Sequence, residues 1–78
     1  TYIAIHQYRG AEWRPYFEAI EAIFRDLGGR PHWGKMNSRT AADLAPAYPE
    51  WDRFQEIRNE LDPHRTFSNE YVKRVIGP

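Results

Sequence analysis

The sequence predicts an α+β fold: a helix-rich chain with one strand at its N-terminus. Three observations predict it. Residues 2–8 alternate and are rich in β-branched and aromatic side chains. Two later stretches repeat apolar residues at helical spacing. Proline, glycine and capping residues punctuate the chain where those stretches begin and end.

The strand is expected over Tyr2–Tyr8, with Tyr2, Ala4, His6 and Tyr8 on one face and Ile3, Ile5 and Gln7 on the other. Arg9-Gly10 ends it. The clearest helix runs from Trp13 to Leu27, where Phe17, Ile20, Ile23, Phe24 and Leu27 form one apolar stripe. Pro15 suits its first turn, where a missing N–H costs nothing. Glu12 and Glu18 near its start and Arg25 near its end match the helix dipole. Gly28-Gly29 stops it, because glycine takes the left-handed conformation cheaply. Thr40 opens a short helix, with Asp43 three residues on completing a capping box. A third helix starts near Pro49 and runs to Leu61, with Trp51, Phe54, Ile57 and Leu61 as its buried stripe. Asp62-Pro63 ends it, since the residue before a proline avoids helical geometry. Phe67 is expected as a hydrophobic anchor, and Ser68 or Asn69 caps a last helix through Val75, closed by Gly77-Pro78. A single strand leaves its backbone groups unpaired, so it must join a sheet outside this chain or a strand of another copy.

With 78 residues the chain is one domain at most, and it has no cysteine to staple it. Aromatic residues make up 15% of it, a large apolar payload that suggests cover from outside the chain. The first residue is Thr1 rather than Met, and the sequence reads as a fragment of a longer protein. Eleven Lys and Arg balance eleven Asp and Glu. A zero net charge argues against a nucleic-acid or anionic-membrane surface. No signal-peptide pattern opens the chain, and no apolar run approaches the roughly 20 residues that span a bilayer. His6, His32 and His64 show no metal-motif spacing, so no metal site is expected.

The unusual segment is Gly28–Ser38, GGRPHWGKMNS. His32 can donate or accept, Trp33 is a flat anchor, Gly34 permits close backbone approach, and Lys35 carries a mobile ammonium suited to polarising a hydroxyl. Composition alone favours a capped turn with a packed Trp and a solvated Lys over a ligand site. His6 and Tyr8 point to one side of the predicted strand and could line one pocket, although taken alone His6 reads first as a hydrogen-bonded histidine at a strand end. The carboxylates Glu18, Glu21, Asp52, Glu56 and Glu60 lie outside the apolar stripes and read as solvated faces, and His64 reads as exposed.

Four elements occur in order: Pro31–Lys35 (PHWGK), Tyr48–Phe54 (YPEWDRF), Leu61–Pro63 (LDP) and Phe67–Tyr71 (FSNEY), preceded by Ile5-His6. In this the chain resembles the C-terminal end of the sugar-1,4-lactone oxidase and dehydrogenase and alditol oxidase family. These are D-arabinonolactone-oxidase-like FAD enzymes of the vanillyl-alcohol-oxidase type. The resemblance covers nearly the whole chain. It implies that residues 1–78 are the C-terminal part of a substrate (cap) domain, with the FAD-binding domain elsewhere and the fragment inactive alone. It implies FAD as cofactor, and oxidation of a lactone or alditol hydroxyl with hydride transfer to the flavin N5. Oxygen or another acceptor would reoxidise the flavin. It assigns Lys35 as catalytic and substrate-binding, His6 and Tyr8 as substrate-binding, and His32 as cofactor-binding, with Trp33 and Gly34 as scaffold. The expected partners are the remainder of the same polypeptide and a small sugar-like substrate, in a cytoplasmic or membrane-associated protein. The alternative is a free-standing α+β interaction module that homodimerises through its lone strand.

Overall fold

A computed structural model describes residues 1–78. Its regular elements are helices: α1 (Arg14–Asp26), α2 (Ala41–Leu44), a 3-10 turn (Ala45–Ala47), α3 (Trp51–Leu61) and α4 (Glu70–Ile76). The predicted strand does not form, and the α+β class is corrected to all-helical. Residues 1–8 belong to no regular element, and Tyr2 and Tyr8 are 95% and 89% exposed. The cause is the one that made a lone strand awkward: no second strand within the chain can accept its N–H and C=O groups.

The helix ends follow their local chemistry. α1 closes in a Schellman motif, with the Gly28 N–H donating to Arg25 O at 2.9 Å and the Gly29 N–H to Phe24 O. Gly28 has φ 75°, and a Cβ on Gly29 would sit 2.7 Å from the Phe24 carbonyl, so each glycine has its own reason. Thr40 and Asp43 form the reciprocal capping box at α2. Asn69, rather than Ser68, caps α4 by accepting from the Val72 N–H at 2.8 Å. Asp62 organises the turn between α3 and α4. Its carboxylate accepts from the N–H groups of Thr66 (2.6 Å) and Phe67 (3.1 Å).

The core is small: Leu44, Val75 and Ile76, flanked by Tyr48, Trp51, Tyr71 and Val72. It lies where α2 packs on α4. The two predicted apolar stripes are present but only partly covered. No residue of α1 or α3 is fully buried, and Leu27 and Leu61 are 79% and 76% exposed. Phe67 is likewise exposed rather than an anchor. The molecule measures 43 × 26 × 19 Å with a radius of gyration of 14.6 Å. A compact domain of this length would have a radius of about 11.5 Å. The sequence supplies apolar faces whose cover is not among these residues. No helix is long and apolar enough to cross a membrane.

Candidate functional site

Between α1 and α2 the chain runs through the GGRPHWGKMNS segment without regular structure, and polar contacts hold it in place. A tight turn at its centre is closed by the Lys35 N–H donating to His32 O at 3.0 Å. His32 folds back on that turn, and its Nδ1 accepts from the Gly34 N–H at 3.0 Å. A Cβ on Gly34 would lie 3.2 Å from the His32 ring, so the missing side chain permits this approach. Because Nδ1 accepts, the neutral ring carries its proton on Nε2. His32 therefore presents a fixed N–H donor. The Lys35 ammonium, three residues on, makes no hydrogen bond or ion pair and faces solvent.

Aromatic residues form the base of this turn. The Trp33 indole N–H donates to the Tyr48 hydroxyl at 2.9 Å. The Trp33 ring meets Tyr48 and Phe54 edge-on, at centroid distances of 5.9 and 6.3 Å. Arg30 stacks over the other part of this cluster, 4.9 Å from the Tyr48 ring. Together with Trp51 these residues line a mainly apolar cleft of about 280 Å³. From α4, the Tyr71 hydroxyl donates to the Trp33 carbonyl and accepts from the Asn37 amide at 3.3 Å. Asn37 also donates to Lys35 O at 3.3 Å.

A second cleft, of about 370 Å³, is polar. Glu18, Glu21, Arg25, Asp26, Ser38 and Arg39 line it. Glu21 accepts from both the N–H and the hydroxyl of Ser38, so it is a tether rather than the solvated surface group its position suggested. Arg25 pairs with Asp43 at 2.6 Å. Hydrogen bonds from the Thr40 N–H and hydroxyl hold the Asp43 carboxyl below the usual carboxylate range, with Arg25 and Arg39 assisting against partial burial. Arg39 is buried, and of its guanidinium only one nitrogen bonds, to Asp43 O at 3.3 Å.

The structure thus brings His32 and Lys35 together on one turn. His6 and Tyr8 lie in the exposed N-terminal segment; no hydrogen bond joins them to the turn, and neither cleft includes them. His64 is exposed, as expected. Sequence reasoning gave no role to Tyr48, Tyr71 or Asn37, because their contacts cross 15, 38 and 34 residues of chain. Spacing carries no signal at that range.

Similarity to known proteins covers this same ground. The chain is 56% identical over 77 residues to an L-gulono-1,4-lactone dehydrogenase of Mycobacterium tuberculosis, which is 99% of this chain and 18% of that protein. It is 43% identical over 61 residues to L-gulonolactone oxidase of Bos taurus, covering 78% of the chain and 14% of that protein. It is 32% identical over 62 residues to an alditol oxidase of a Streptomyces species, covering 80% of the chain and 15% of that protein. The chain therefore spans less than a fifth of the length of these relatives. No solved structure matches it significantly. The family profile described as D-arabinono-1,4-lactone oxidase matches residues 1–75, with the PHWGK turn and both tyrosines that brace it inside the match, and the chain belongs to that family.

Proposed function

We propose that residues 1–78 are the C-terminal part of the substrate region of a flavin-dependent oxidoreductase acting on a sugar lactone or an alditol. The observation that carries this reading is the turn that sets an unpaired Lys35 ammonium beside a His32 of fixed tautomer. The names of the relatives, lactone dehydrogenase, lactone oxidase and alditol oxidase, support the substrate class.

The turn fits a flavin. His32 Nε2–H is a donor left over after Nδ1 is engaged, and the isoalloxazine or the pyrophosphate of FAD would offer acceptors to it. FAD, when bound, supplies the hydride acceptor for the C–H bond beside the reacting hydroxyl. The residues of this chain orient and polarise. Lys35 would donate to the reacting hydroxyl oxygen and stabilise the negative charge that grows there as a base in the remainder of the polypeptide takes the hydroxyl proton. Trp33 and Tyr48 hold the turn by packing. His6 and Tyr8 contribute to the substrate pocket once the remainder of the polypeptide packs on the exposed N-terminal segment. That remainder also covers the apolar faces of α1 and α3 and holds most of the FAD.

The test uses the full-length protein. Its absorbance reports flavin content, and anaerobic mixing with L-gulono-1,4-lactone, D-arabinono-1,4-lactone and sorbitol reports flavin reduction. Lys35→Met should keep its flavin and slow reduction by about 100-fold or more, the usual effect of removing one oxyanion donor. Unchanged reduction kinetics would remove Lys35 from the mechanism, and a colourless full-length protein would remove the flavin reading.

A further inference from the structure

We propose that Tyr71 is a positioning residue for Lys35: it fixes the turn that carries the ammonium, from a helix whose other end is the core. This rests on the reading of Lys35 given above. The Tyr71 hydroxyl uses both of its capacities in this one place. It donates to the Trp33 carbonyl, inside the turn, and accepts from Asn37 Nδ2 at 3.3 Å. Asn37 in turn donates to the Lys35 carbonyl at 3.3 Å, so the peptide oxygens on both sides of the Gly34-Lys35 unit are held by this pair. The Asn37 carbonyl oxygen accepts from the Arg39 N–H at 3.1 Å, which leaves the amide a single orientation.

The brace has a firm base. Tyr71 sits one turn before Val75 and Ile76, two of the three core residues. Arg74 packs over its ring at 5.1 Å and donates to the Arg39 carbonyl at 2.6 Å. Without Tyr71 the turn would keep its own Lys35-to-His32 hydrogen bond and the Trp33 packing. It would lose the contact that ties it to α4. A long, flexible lysine side chain is placed only as well as its backbone is, and a displacement near 1 Å at a reacting centre costs about 100-fold in rate.

Tyr71→Phe in the full-length flavoprotein removes both hydrogen bonds and keeps the ring. Flavin content should stay at the parent level. Flavin reduction by the panel compound that reduces the parent fastest should slow at least about tenfold. The effect should be absent in a Lys35→Met background, because a residue acting through Lys35 has nothing left to place. Hydrogen exchange of the peptide covering residues 31–38 should quicken about tenfold, with α3 unchanged, in the presence or absence of substrate. If Tyr71→Phe does not fold, Asn37→Ala tests the same brace from the loop side, with the same non-additivity expected. Two results overturn the proposal while leaving the Lys35 reading intact: Tyr71→Phe at parent rate, or rate losses that multiply in the double variant. Should Lys35→Met itself reduce at parent rate, both readings fall together.

Discussion

One guanidinium nitrogen of Arg58, on α3, donates to the backbone oxygen of Gly77 at 3.0 Å, just past the end of α4. The same nitrogen reaches Ile76 O at 3.2 Å, and Gln55 Nε2 donates to Ile76 O at 2.8 Å. The last carbonyls of a helix have no partners inside it and carry partial negative charge, so a cation there satisfies both needs. Burial pulls the Arg58 pKa below that of a free guanidinium, and Arg65 adds to this while Asp62 opposes it. The clamp joins α3 to the helix that carries Tyr71, although α3 itself buries no residue fully.

Arg58→Met should loosen that join. A hydrogen bond to a charged group contributes about 1.5–3 kcal/mol, and Met replaces the stem without the donors. Arg58→Lys should recover part of the loss, because one ammonium can donate to both carbonyls but lacks the planar, rigid guanidinium that places the donor there. The check is thermal unfolding of the full-length protein, with exchange of the α4 amides quickening ahead of global unfolding. Unchanged α4 exchange in Arg58→Met would show that the clamp is incidental.

The core predicts a second contrast. Leu44 is completely buried between α2 and α4. Leu44→Ala should cost about 2–5 kcal/mol, the transfer loss plus the cavity. The neighbouring Ala45→Gly change removes one methyl and should cost about 1 kcal/mol in a helical position. Chemical denaturation of the full-length protein separates the two, and equal effects would mean that Leu44 is not the keystone of the α2–α4 contact.

These contacts show what a sequence can reveal and why. The helix boundaries were legible because their causes are local: Pro15 in a first turn, Gly28-Gly29 at an end, and Thr40 and Asp43 three residues apart. The strand at Tyr2–Tyr8 was not, because its alternation describes a preference that only a partner strand can realise. The stripes on α1 and α3 were read correctly as apolar faces, while their burial depends on what lies opposite. At the site, the Gly34 approach and the placing of His32 with Lys35 follow from a four-residue turn and were legible. The Trp33–Tyr48 and Trp33–Tyr71 pairs were not, because only the path of the chain through the 3-10 turn and α4 brings them together.

Acid should weaken α2. The Asp43 carboxyl is held below its ordinary pKa chiefly by the Thr40 N–H and hydroxyl, with Arg25 in support. A carboxylate with a depressed folded pKa contributes stability that is fully present above its unfolded value near 3.8. That contribution is lost as pH falls through the lower folded value. Asp43→Asn should therefore speed α2 amide exchange at neutral pH, where the carboxylate's contribution is fully present, and flatten the pH dependence of that exchange below about pH 4. Thr40→Ala should weaken the same helix by about 1 kcal/mol at neutral pH, through loss of the cap. A variant whose acid slope matches the parent would locate the acid-sensitive group elsewhere.

The last prediction concerns the uncovered face of α1. Its stripe, Phe17, Ile20, Ile23, Phe24 and Leu27, buries nothing completely, and Ile23 is 52% exposed. The other side of α1 is fastened by polar contacts, Glu21 to Ser38 and Arg25 to Asp43. A helix held by its polar side and open on its apolar side is oriented for cover that comes from beyond this chain. A polar change at a solvated position moves stability by less than about 0.5 kcal/mol, whereas a carboxylate placed on a covered apolar face costs several times that. In the full-length protein, Ile23→Asp should lower the unfolding temperature by several degrees, and Glu18→Gln, on the exposed side of the same helix, should not. Differential scanning calorimetry distinguishes them. If Ile23→Asp melts with the parent, the remainder of the polypeptide does not pack on α1, and the stripe is a free surface of the assembled protein.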